Sequence, residues 1–393
     1  MREFLEGSRA VGDIVKLCKP GVISAYPITP QTHIVEELAQ MVADGSLKAE
    51  FINVESEHSA ASAVLGGSAA GVRVYTATSS QGLFLMAEVV FNIAGMRLPV
   101  VMTCANRAIS APINIWNDQQ DSISLRDAGW LQLYAENIQE AVDLHLIAYK
   151  IAENKSVMLP VMVCMDGFIL THGIETVDMP AQEQVDKFLP PYQPLYKLDP
   201  KDPLTMGPLA DPDSYTEARY AIEETLKDTL GLIPKVNAEF AAIFGRDYGG
   251  GLIEEYKTKD ADKVVVALGS VCGTVKEVVD EFREKGKKIG LLKIISYRPF
   301  PGQAIYEALK NVPKVAVLNR AVSLGSYAPL TSEIKAVFFG KTKRPKIISS
   351  FIAGLGGRDI TKESVKEILR LLNGKERVAE FIDLKPELLR ESY

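Results

Sequence analysis

Six residues in the first 110 positions could act together on a small ligand: Thr29, Glu57, Ser80, Gln81, Gly82 and Arg107. Glu57, in Val54-Glu55-Ser56-Glu57-His58, is an acid that can hold or give a proton. Arg107 offers a forked pair of donors suited to a carboxylate. Thr29, set between Pro27 and Pro30, presents a hydroxyl on a stiff backbone. The run Thr78-Ser79-Ser80-Gln81-Gly82 is a polar turn that lacks the Gly-Lys-Ser/Thr core of a P-loop and the GxGxxG spacing of a dinucleotide site. Each has a plainer explanation when taken alone. Glu55 and Glu57 could simply complement a helix dipole, worth about 0.3 to 1 kcal/mol. Thr29 could belong to a stiff turn in which Thr32 caps the next helix, and Arg107 could form a surface ion pair.

Whether these residues meet depends on the elements that carry them. Apolar runs over 22–25, 51–54, 72–77, 99–104 and 160–165 read as strands. Helical spacing covers 6–19, 34–42, 59–71, 83–94 and 136–152, with Ser56 as an N-cap ahead of the Ala- and Gly-rich helix. This alternation predicts an α/β fold, a doubly wound parallel sheet with helices on both faces. Thr29, Glu57, the 79–82 turn and Arg107 all fall at carboxyl ends of strands, where such sheets bind ligands. The segment 116–122, Trp-Asn-Asp-Gln-Gln-Asp-Ser, is dense in hydrogen-bonding groups and is expected to fold over a site or against a partner subunit.

Beyond residue 180 the character changes, since eight of the 21 prolines fall between 180 and 212. Residues 1–180 are expected to form the first domain. Residues 181–258 form a Pro-rich arm and a connecting helix over 216–230, interrupted by Gly231 and Pro234 and resumed over 236–244. Residues 259–393 form a smaller second α/β unit, with strands over 263–268, 289–295, 315–318 and 347–352. Its glycine run 354–357 reads as a tight turn at an interface.

Composition excludes several classes. A net charge of -6 with no basic, aromatic-interleaved stripe argues against nucleic acid as a partner. Cys18, Cys104, Cys164 and Cys272 are far apart and form no CxxC pair, so local spacing supports neither a zinc nor an iron-sulfur site, and a reduced cytoplasmic protein is the simplest reading. His33, His58, His145 and His172 show no metal-ligand spacing, so no metal is assigned to this chain. No apolar run approaches the roughly 20 residues of a membrane span, and the N-terminal segment reads as neither signal peptide nor anchor.

Five motifs together carry a family resemblance: Tyr26-Pro27-Ile28-Thr29-Pro30, Val54-Glu55-Ser56-Glu57-His58, Thr78-Ser79-Ser80-Gln81-Gly82-Leu83, Asn106-Arg107-Ala108 and Tyr297-Arg298-Pro299-Phe300. In order and spacing the chain resembles α subunits of the thiamine diphosphate-dependent 2-oxoacid:ferredoxin oxidoreductases, pyruvate:ferredoxin oxidoreductase in particular. The resemblance implies a pyrimidine-binding thiamine diphosphate domain followed by a domain like the transketolase C-terminal domain. It implies oxidative decarboxylation of pyruvate, with coenzyme A as acyl acceptor and electrons passed to ferredoxin. A branched-chain 2-oxoacid or 2-oxoglutarate is the alternative substrate, and a non-catalytic scaffold subunit the alternative role. Glu57 matches the glutamate that hydrogen-bonds N1′ of the aminopyrimidine, favouring the imino tautomer whose 4′-nitrogen takes the thiazolium C2 proton. Thr29 and Arg107 match the residues that hold the 2-oxoacid, and Ser80, Gln81 and Gly82 match the cofactor-binding turn. The chain lacks the Gly-Asp-Gly with a downstream Asn that holds magnesium diphosphate, for which Asp166-Gly167 is only a partial echo. It also lacks a cluster-binding cysteine run. The resemblance therefore places Mg2+ and [4Fe-4S] clusters on β-, γ- and δ-type partner subunits and puts the cofactor site at a subunit interface.

Overall fold

The computed structural model describes residues 2–389, so Met1 and residues 390–393, at the outer ends of the first and last expected domains, lie outside it. Val74–Thr78, Val101–Asn106 and Val161–Asp166 are buried along their whole length, which a strand tolerates only when both faces are covered. Helices Gly7–Cys18, Thr32–Ala43 and Ile138–Ala152 cover one face, and Glu57–Ala69 and Ala87–Gly95 the other.

The first sheet has seven strands in the order Ser296–Arg298, Leu131–Tyr134, Val161–Asp166, Val101–Asn106, Val74–Thr78, Val22–Ile23 and Glu50–Phe51. All neighbours are parallel except the first pair. The chain leaves Val22–Ile23 for one edge, then crosses back over it to Val74–Thr78. The strand order therefore reverses between Val22–Ile23 and Val74–Thr78, which opens a crevice at their carboxyl ends.

The second sheet runs Glu380–Phe381, Ile347–Ile352, Lys314–Asn319, Lys263–Ala267, Ile289–Ile294 and Ile253–Tyr256, parallel but for the last. The two halves share one apolar core in which Trp130 and Tyr134 join Val264, Leu292 and Tyr297. Ser296–Arg298 extends the first sheet from the second half of the chain. Part of the Tyr297-Arg298-Pro299-Phe300 motif is thus a strand joining the two halves.

Several local expectations needed correction. Arg2–Glu6 and Ile174–Asp178 form an antiparallel pair that periodicity did not suggest, because their residues are largely exposed and show little apolar pattern. Leu131–Tyr134 is an additional strand, only four residues long. The helix expected over 83–94 is two helices, Ser80–Leu85 and Ala87–Gly95, meeting at Met86. Thr32 is not a cap: Gln31 occupies that position, donating from Nε2 to the Ala77 carbonyl at 2.7 Å. The connecting helix is not interrupted but runs unbroken over Tyr215–Phe244 with Pro234 inside. A proline within a helix costs about 3 kcal/mol. Here Ile222, Thr225, Thr229, Ile233, Val236 and Phe240 recur at helical spacing, and burying that stripe in one core with Ile138–Ala152, Val185 and Phe188 offsets the loss.

Candidate functional site

Glu57 is the first residue of helix Glu57–Ala69, whose N-cap Ser56 accepts from the Ser59 amide at 3.3 Å. Ser56 is extended and directly precedes the helix, after the strand Glu50–Phe51 and a short connecting segment. Glu57 is left 7% exposed, and its carboxylate has no hydrogen-bond partner among the described residues. Glu55, by contrast, is exposed and accepts from the Ser59 hydroxyl, so it is the one that serves the helix end. His58 is also exposed.

Gly82 faces Glu57 closely. A Cβ there would lie 2.6 Å from Glu57 Oε1 and 2.6 Å from Thr78 Oγ1, so any side chain would push the carboxylate away. The Thr78 hydroxyl and the Gln81 Nε2 are buried without partners. Buried polar groups are nearly always satisfied, so the orphaned Thr78 hydroxyl beside the unpaired acid, and the orphaned Gln81 amide on the same turn, are the kind of groups that a polar ligand satisfies.

The turn carrying Gln81 and Gly82 is held from below. Ser79 Oγ donates to the Ala105 carbonyl at 2.7 Å, and Ser80, at φ 49°, donates from its hydroxyl to the Ala108 carbonyl. A left-handed serine costs on the order of 1 kcal/mol and persists only where its surroundings hold it. Asp121 holds it: one carboxylate oxygen accepts from the Ser80 amide at 3.0 Å and the Arg107 amide at 2.9 Å. The other accepts from Asn106 Nδ2 at 2.7 Å and the Ser122 amide at 2.8 Å. Burial raises the Asp121 carboxyl to about 6, even though these donors pull it down. Asp121 thus fixes the Ser80 turn against the end of the Arg107 strand. The sequence placed it within a polar loop but gave no means of choosing it over Asp118.

Arg107 is buried, and its fork is partly committed to the protein. Nη1 donates to the Thr29 carbonyl at 2.8 Å and Nε to the Asn114 carbonyl at 3.0 Å. Burial draws its pKa down from the ordinary guanidinium value, opposed by Asp121. Thr29 is exposed at the top of the same crevice, and its bond to Pro30 is cis. The fold therefore brings Thr29 to Arg107, Glu57 to Gly82, and the Ser80 turn to Arg107.

The polar loop closes against the second half of this same chain. Asp118 accepts from the Gly356 amide at 3.0 Å, and the Asn117 carbonyl from the Gly357 amide at 2.7 Å. Asp166 is fully engaged, pairing with Arg320 at 2.7 Å and accepting from the Ser270 amide at 2.8 Å. Its carboxylate joins the two halves and is not free for a metal diphosphate. No helix among the described residues is long and apolar enough to cross a membrane.

Residues 14–237 match the family described as "Pyruvate flavodoxin/ferredoxin oxidoreductase, thiamine diP-bdg", and residues 261–365 match "Pyruvate:ferredoxin oxidoreductase core domain II". The chain is 52% identical over 385 residues to pyruvate synthase subunit PorA of Methanothermobacter thermautotrophicus, covering 98% of this chain and 99% of that one. It is 45% identical to ketoisovalerate oxidoreductase subunit VorA of Pyrococcus horikoshii, covering 94% and 93%. The fold resembles 2-oxoglutarate:ferredoxin oxidoreductase from Magnetococcus marinus, with a TM-score of 0.70 and 19% identity over 94% of this chain and 65% of that one.

Proposed function

Because this chain belongs to the pyruvate flavodoxin/ferredoxin oxidoreductase family, we propose that it is the α subunit of a multi-subunit pyruvate:ferredoxin oxidoreductase, or pyruvate synthase. The reaction is the reversible conversion of pyruvate and coenzyme A to acetyl-CoA and CO2, with electrons passed to ferredoxin. Its near-full-length relatives named pyruvate synthase subunit PorA support pyruvate over other 2-oxoacids. The single observation that carries the reading is the buried Glu57, whose carboxylate stands unpaired against Gly82 and near the orphaned Thr78 hydroxyl.

These residues fit the aminopyrimidine end of thiamine diphosphate. Glu57 would hold the proton at N1′, and Ser80, Gln81 and Gly82 would form the wall along the ring, with Gln81 Nε2 free to donate. When bound, the cofactor supplies the carbanion chemistry that detaches CO2 from a 2-oxoacid. Thr29 would donate its hydroxyl to the substrate, and the uncommitted Nη2 of Arg107 would meet the substrate carboxylate while Nη1 keeps the Thr29 turn in place. Asp166 is consumed by Arg320, which supports assigning the Mg2+ diphosphate half-site to a β-type subunit. The [4Fe-4S] clusters would lie on partner subunits of the β, γ or δ type, because the four cysteines here are dispersed, free and buried. Free cysteines also suit a reducing, cytoplasmic location. The domain division at 180 and 259 is retained, with the second unit like the transketolase C-terminal domain.

The reconstituted complex should reduce a viologen dye with pyruvate in preference to branched-chain 2-oxoacids or 2-oxoglutarate. No preference for pyruvate would reject the assigned substrate, and the relative named VorA makes the branched-chain comparison the important one. Glu57→Gln should abolish most turnover while the subunits still assemble. Undiminished turnover would leave the chain as a scaffold.

A further inference from the structure

We infer that Glu6, His33 and His172 form a binding site for one divalent transition-metal ion of the Zn2+ class. Their donor atoms all lie within 4.8 Å of one another. His33 Nδ1 is 2.7 Å from Glu6 Oε1, and the His33 and His172 ring centroids are 4.7 Å apart. The three come from distant parts of the sequence. Glu6 ends the strand Arg2–Glu6, His33 is the second residue of helix Thr32–Ala43, and His172 lies on the loop before Ile174–Asp178. Spacing along the chain hides the triad, which is why four scattered histidines gave no metal signal.

The backbone that presents the triad is fixed from several sides. The Gly7 amide donates to the Gly173 carbonyl at 3.1 Å, and the Ser8 amide and hydroxyl both donate to the Thr171 carbonyl at 2.8 Å. The chains pass so closely that a Cβ on Gly7 would meet the Leu170 carbonyl. Glu6 is thereby locked beside the His172 loop. The Thr171 hydroxyl lies 2.8 Å from His172 Nδ1, which engages that nitrogen and leaves Nε2 for a metal. Phe168 packs on the other side of the His172 ring at 4.8 Å, limiting its swing.

Two imidazoles and one carboxylate make a borderline donor set that suits Zn2+ and its transition-metal neighbours, whereas Mg2+ and Ca2+ favour all-oxygen shells. Three protein ligands leave a fourth position for water or a donor from another molecule. Binding would replace the direct His33–Glu6 contact with a metal bridge. It would pin the start of helix Thr32–Ala43, which directly follows the Thr29-Pro30 turn, to the N-terminal strand and the 171–173 loop. The ion would act as a clasp behind that turn, and its binding can be measured without any turnover.

The test uses the untagged full-length chain, freed of metal with a chelator and titrated with Zn2+ by calorimetry and with Co2+ by visible absorption. One ion per chain is expected, with Co2+ d–d bands lacking thiolate charge transfer and no competition from excess Mg2+. His33→Ala and His172→Ala should each weaken binding about tenfold or more. Zn2+ should raise the Tm of the natural chain but not of the double variant. Both side chains reach solvent, so the metal-free variants should keep the parent's circular dichroism. Substoichiometric binding, or equal Zn2+ affinity in the doubly substituted chain, would overturn the assignment.

Discussion

Gly82 stands so close to Glu57 that a single added carbon would lie 2.6 Å from Oε1 and 2.8 Å from Cγ of the acid. The backbone at Gly82 is pinned by the Ser79–Ser80 turn and cannot retreat, so the carboxylate would have to move. Gly82→Ala should therefore lower kcat by about 100-fold, the cost of misplacing a reacting group by about 1 Å. Steady-state viologen reduction by the reconstituted complex measures this. A variant that retains near-normal kcat would show that the position of Glu57 does not matter.

Arg107 commits Nε and Nη1 to the Asn114 and Thr29 carbonyls, and its Nη2 has no partner among the described residues. Lysine keeps the charge but cannot reach the Thr29 and Asn114 carbonyls while also meeting a substrate carboxylate. Arg107→Lys should raise the KM for the 2-oxoacid roughly 10- to 100-fold, given about 1.5 to 3 kcal/mol for a hydrogen bond to a charged group. The KM for coenzyme A should change far less, and a matching rise in both constants would speak against a substrate contact.

Two buried groups titrate in opposite senses. Burial raises Asp121 from 3.8 to about 6, so its ionised form is disfavoured in the fold and its contribution to stability falls as pH rises from about 4 to 6. Burial lowers His145 from 6.5 to about 4, so its protonated form is disfavoured and its contribution falls as pH drops from 6.5 to 4. Each swing is about 3 kcal/mol, and in the natural chain they largely cancel. Urea unfolding across this range should separate them. Relative to the natural protein, Asp121→Asn should gain stability as pH rises through the window, and His145→Gln should lose it. Parallel profiles for the two variants would contradict the assignment.

Asp166 and Arg320 are both buried and pair across the two halves of the chain. Arg320→Met leaves a buried carboxylate without its cation, which should destabilise the protein by about 3 to 5 kcal/mol. Adding Asp166→Asn should recover part of that loss. Denaturant titration of the single and double variants reads both effects, and a single variant as stable as the parent would remove Asp166 from the list of joints between the halves.

The sequence by itself determined the class of fold and marked the loops in which candidate residues gather. Short continuous apolar runs bounded by glycine and polar turns read as buried strands, which holds at Val74–Thr78, Val101–Asn106 and Val161–Asp166, whereas the run expected over 51–54 is a strand only at Glu50–Phe51. That is why Thr29, Glu57, Ser80, Gln81, Gly82 and Arg107 could be singled out as candidates before any coordinates. Tertiary structure alone decided which of them touch. It also decided that Asp121 rather than Asp118 ties Ser80 to Arg107, that Asp166 is spent on Arg320, and that Pro234 sits inside an unbroken helix. These outcomes depend on partners tens or hundreds of residues away, and local propensity holds no record of such distances. The same reason hid Glu6, His33 and His172 from one another: the antiparallel pair of Arg2–Glu6 and Ile174–Asp178 sets Glu6 beside the His172 loop, and helix Thr32–Ala43 brings His33 to both.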